Sequence, residues 1–72
     1  MTHKMQMLDT AGGEVLVERL FDLSTDKHEM ENSLVHIFQE QYRAATNASQ
    51  EAADEYINAA MEAGKIAFHQ IW

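Results

Sequence analysis

His36 and Glu40 come closest to a chemical signature. They stand four residues apart in a stretch that reads as a helix, so they share a face, and His28 lies about two turns earlier. Imidazole nitrogen and carboxylate oxygen are zinc ligands, which makes His28, His36 and Glu40 the candidate set for a metal-binding protein. Sharper signatures are missing: neither H-E-x-x-H nor E-x-x-H occurs. All three residues fall on the polar side of their helix. An exposed His–Glu pair there contributes about 0.2–0.5 kcal/mol and implies no metal.

Nucleophilic chemistry has less support. The chain has no Cys, no Gly-rich phosphate loop and no G-x-S-x-G elbow. Ser24, Ser33 and Ser49 occupy cap-like or surface contexts. A chain of 72 residues also leaves little room for a pocket of about 300 Å³ or more. No enzyme and no cofactor is expected.

Carboxylates are the commonest chemical feature. Glu51, Glu55 and Glu62 form a stripe at helical spacing, with Asp54 at its border. At its plainest the stripe is a solvated helix face. As a working surface it offers negative charge to a basic protein partner. A sharper alternative is a nucleic-acid mimic that occupies a DNA- or RNA-binding protein, because carboxylates one helical turn apart rise by about 6 Å. Direct nucleic-acid binding is not expected, since Lys4, Arg19, Lys27, Arg43 and Lys65 are scattered singly in a chain of net charge −7.

The elements that would carry these residues read as helices. The pattern over about 26–45 is amphipathic, with Met30, Leu34, Ile37, Phe38 and Tyr42 on one side. Gln41 falls within that apolar arc. Asp26 with Glu29 has capping-box spacing, and Ser24 or Thr25 is the alternative cap. Residues 46–49 form a break, with Asn47 or Ser49 able to cap the next helix; one long helix from about 26 to 71 is the alternative. Residues 14–23 read as a short leading helix because strand alternation fails at Arg19 and Asp22, although Val15 and Val17 favour a strand. Gly12 and Gly13 set off residues 1–13 as a flexible or extended N-terminal arm, leaving 14–72 as a single helical domain.

The stretch at about 49–71 carries more apolar circumference than a helix with one neighbour needs. Ala53, Ile57, Ala60, Gly64, Ala67, Phe68 and Ile71 would line a face for self-association. Phe68 and Trp72 add rigid aromatic anchors. The fold expected is therefore all-α: an antiparallel helical hairpin plus the leading helix, completed as a bundle by homodimerisation.

Composition agrees with the need for a partner. Of 33 hydrophobic residues ten are Ala, and with no Cys there are no disulfides to staple a small core. No apolar run approaches the roughly 20 residues of a membrane span, so no membrane partner is expected and the setting is read as cytoplasmic. The function expected is a small acidic, non-enzymatic protein-binding module, an adaptor or inhibitor of a larger protein.

Overall fold

The computed structural model describes residues 1–71 and shows an α+β fold, not an all-α bundle. Strands β1 (Thr2–Asp9) and β2 (Val15–Asp22) lead into helices α1 (Lys27–Thr46) and α2 (Gln50–Glu62), and strand β3 (Ile66–Ile71) follows. The strands form one antiparallel sheet in the order β2-β1-β3, so the first strand lies in the middle. Trp72 lies outside the described residues.

The expected N-terminal arm is this central strand. His3, Met5 and Met7 are buried, while Lys4 and Gln6 between them are half-exposed. That alternation places the odd-numbered residues under the helices. The Asp9–Glu14 connection closes the hairpin: Asp9 N–H donates to Glu14 O at 2.9 Å and Gly13 N–H to Asp9 O at 2.7 Å. Gly13 has φ +70°, a conformation that favours Gly at this turn.

The expected leading helix over 14–23 is strand β2. Arg19 stands opposite Met5, on the helix-covered side. It avoids burial by reaching outwards, with its guanidinium 5.4 Å from the Phe21 ring centroid and Nη1 donating to Ser33 Oγ at 2.7 Å. A residue that snorkels can hold an inward register position without breaking the strand. Met7 pairs with Val17 and Leu8 with Val15, so Leu16 is an extra, bulged residue.

Helix α1 follows its amphipathic pattern closely. Met30 and Leu34 are fully buried, and they join Met5, Met7, Val17 and Phe21 in one core. Each such side chain contributes about 1.5–3 kcal/mol on burial. Asp26 is the N-cap residue, but its side chain makes no cap bond. Asn47 ends the helix at φ 57°. Gln41 is exposed. The 47–49 turn is real, and Ser49 caps α2 by accepting from Ala52 N–H at 3.2 Å.

The expected third helix stops early. Gly64 at φ +71° donates to Met61 O at 3.1 Å, and Lys65 N–H donates to Ala60 O at 2.9 Å. These two bonds are a Schellman ending, which releases the chain from helical geometry. Residues 66–71 then alternate between the two sides of the sheet. A strand with apolar residues on both sides looks, on a helical projection, like a helix that is apolar nearly all round.

Candidate functional site

The helices cover only one side of the sheet. The register places three cross-strand rows on the other side. Ala67, Leu8 and Val15 form one end, His69, Gln6 and Glu18 the middle, and Ile71, Lys4 and Leu20 the far end. The middle row is polar: Gln6 Nε2 donates to Glu18 Oε2 at 2.9 Å, and Lys4 Nζ of the far-end row lies 3.8 Å from Glu18 Oε1. The flanking rows carry exposed apolar side chains, with Leu20 61% exposed, Val15 42% and Ile71 37%.

The seven residues expected to share a self-association face are dispersed. Ala53 and Ile57 are fully buried within the chain's own fold. Ala60 is half-buried beside a small cavity of about 160 Å³ that Leu16, Phe38, Tyr56 and Ile66 also line. Gly64 forms the turn after α2, where its carbonyl accepts from Thr10 Oγ1 at 2.8 Å. Phe68 stands opposite Met7, towards the helices and half-buried, whereas Ala67 and Ile71 lie on the open side of β3. No helical ridge joins them, because the helix supposed to carry them ends at Glu62.

The acidic stripe survives in part. Glu51, Glu55 and Glu62 are exposed on α2, which carries four acidic residues and no basic one. Asp54 is drawn into the hairpin instead, accepting from Gln39 Nε2 at 2.5 Å and Gln50 Nε2 at 2.9 Å. Arg43 extends this network, with Nη1 donating to Gln50 Oε1 at 3.0 Å. Tyr42 and Tyr56 stack nearby with ring centroids 4.5 Å apart.

His36 Nε2 lies 3.5 Å from Glu40 Oε1, and both side chains are exposed. His28 is exposed about 12 Å further along the helix axis. Among the described residues no three His, Cys, Asp or Glu side chains come together in a metal-binding group.

Two features escaped the sequence reading. His3 is 4% exposed, and its Nδ1 lies 2.9 Å from Gln70 Nε2, joining β1 to β3. Asp22, at the end of β2, accepts from Ser24 N–H at 2.9 Å and Ser24 Oγ at 2.8 Å. Those bonds, backbone first, hold its carboxyl below the usual Asp value; a weaker attraction from His3 adds to them, while desolvation opposes. The D-x-S spacing at 22–24 is a turn signal that could have been read in advance.

A second cavity of about 290 Å³ lies between α1 and the sheet, lined by Met5, Lys27, Glu31, Phe68 and Gln70. It is open and mixed in polarity. Among the described residues no helix is long and apolar enough to cross a membrane. Comparison with protein families, characterised proteins and solved structures finds no significant match to the chain.

Proposed function

We propose that this protein is a small acidic, non-enzymatic protein-binding module that engages its partner through the open side of its sheet. The supporting observation is the row pattern: apolar side chains at both ends of the sheet flank a polar middle row in which Gln6 and Glu18 are hydrogen-bonded to each other. An antiparallel sheet side that only met water would alternate to polar residues. Leu8, Val15, Leu20, Ala67 and Ile71 stand where those would be. Apolar anchors around satisfied polar groups suit a protein interface. The exposed carboxylates of α2 favour approach by a basic partner, at longer range and with salt dependence. We place this activity in the cytoplasm, a setting compatible with a cysteine-free chain.

The test is capture with and without the surface. Leu20 is mostly exposed, so Leu20→Lys should leave folding unchanged and remove the partner that the unmodified chain retains. Replacing Glu51, Glu55 and Glu62 by Gln should weaken capture only at low salt. Undiminished capture by folded Leu20→Lys would sink the proposal.

A further inference from the structure

The hydrogen-bond phase of the sheet shows which backbone groups are free at each edge. Thr10 N–H donates to Lys65 O, and Leu23 N–H donates to Met1 O. Counting along the registers, odd-numbered residues of β1 bond to β2 and even-numbered ones bond to β3. On β3, therefore, residues 67, 69 and 71 face β1, while Ile66, Phe68 and Gln70 direct N–H and C=O outwards. On β2 the outward groups belong to Glu18, Leu20 and Asp22.

The two edges differ in what discourages pairing. The β2 edge has Glu18, Arg19 and Asp22 along it and a bulge at Leu16. Charges and bulges are the usual protection of an exposed edge. β3, with the sequence IAFHQI, has no Asp, Glu, Lys, Arg or Pro and no bulge.

We infer that the free edge of β3 pairs antiparallel with β3 of a second copy, joining two sheets into one of six strands. This deepens the proposed function by naming one partner, and it rests on that reading only in that the joined sheet would double the open side. Three features of the edge suit pairing with a second copy. The outward residues 66, 68 and 70 are symmetric about Phe68, so a two-fold axis there pairs 66 with 70 of the other copy and 68 with itself. All six outward groups of each strand meet partners, giving six hydrogen bonds across the seam. Side-chain parity is kept, since the paired residues lie on the same side of both sheets. In a chain of net charge −7, β3 also offers a strand on which two copies meet without facing formal charges. One strand per copy is less than a standard stable interface, so the dimer should form in the micromolar range.

Gln70 provides the test. Gln70→Pro removes one outward N–H and no backbone bond to β1, at a position where a strand tolerates Pro; it also loses the side-chain contact with His3. Gln70→Ala loses the same contact with His3 but keeps the N–H. In sedimentation over a concentration series, the unmodified chain and Gln70→Ala should dimerise. Gln70→Pro should dimerise roughly 10- to 100-fold more weakly, the effect of two lost bonds per dimer. Amide exchange of the unmodified chain covers the case in which Gln70→Pro fails to fold. Ile66, Phe68 and Gln70 amides should gain protection as concentration rises, and Glu18 and Leu20 should not. A monomer at every concentration would overturn the inference. So would a dimer without protection at those three amides, or one that forms with undiminished affinity in folded Gln70→Pro. Either of the last two results would leave partner capture through Leu20 standing.

Discussion

The two edges of this sheet are finished differently. On the β2 side, α1 lays Met30 and Leu34 over Val17 and Phe21, and all four are buried. The outer edge is charged and bulged. On the β3 side, Ile66 and Phe68 are only half-buried, and the outer edge has neither device. The same central strand serves both, with Met5 and Met7 fully buried beneath the helices. The difference teaches that the fold closes its core within one chain on one flank and leaves the other flank suited to continuation.

The largest expected effect probes that asymmetry directly. Leu34→Ala should cost about 2–5 kcal/mol in urea unfolding. Phe68→Ala, measured at high dilution, should cost only about 1–3 kcal/mol because its side chain is half-exposed. Equal losses would mean that both flanks are packed alike, and the comparison would fail. Next in size is the cap of α2, the shorter of the two covering helices. Ser49→Ala should cost about 1 kcal/mol, whereas Asp26→Ala should cost clearly less because Asp26 makes no side-chain cap bond.

Smaller effects sharpen the picture of each edge. In the six-stranded arrangement both acidic α2 helices lie on one side of the sheet. Raising salt from about 0.05 to 0.5 M should therefore tighten the dimer a few-fold by screening their repulsion. Tightening at low salt instead would point to an interface between opposite charges. The smallest effect lies at the end of β2. The Asp22 carboxyl is held below its ordinary value, so it stabilises the fold above the unfolded-state pKa. That contribution fades as pH falls through the folded value. Asp22→Asn should show a shallower loss of stability below about pH 4 than the unmodified chain. Identical acid limbs would show that the Ser24 bonds do not matter to folding.

Of the apolar residues on the open side, the sequence singles out only Ala67 and Ile71, and those without their geometry. Ala67, Phe68 and Ile71 stood out because the 49–71 stretch had more apolar circumference than a helix could cover. The excess was genuine, and its cause was a strand with two sides. Gly64 was grouped with small packing residues, although Gly just past a helical pattern followed by Lys is also a stop signal. Leu20 falls within the expected leading helix over 14–23, and only the pairing of β2 with β1 puts it on the open side. In the N-terminal segment, His3, Met5 and Met7 alternate with Lys4 and Gln6, which was readable as a strand, but the Gly pair after it suggested a linker.

The sequence by itself determined α1 to within a residue or two and the acidic character of α2, and it narrowed the break to 46–49 and the cap to Asn47 or Ser49. Those features depend on bonds between residues a few positions apart, which local residue types control. The tertiary structure decided that residues 2–9 and 66–71 are strands, that they are neighbours, and that β3 is an edge with neither charge nor bulge. Lys4 pairs with Ile71 across nearly the whole chain, and a strand's hydrogen bonds exist only once its partner is in place.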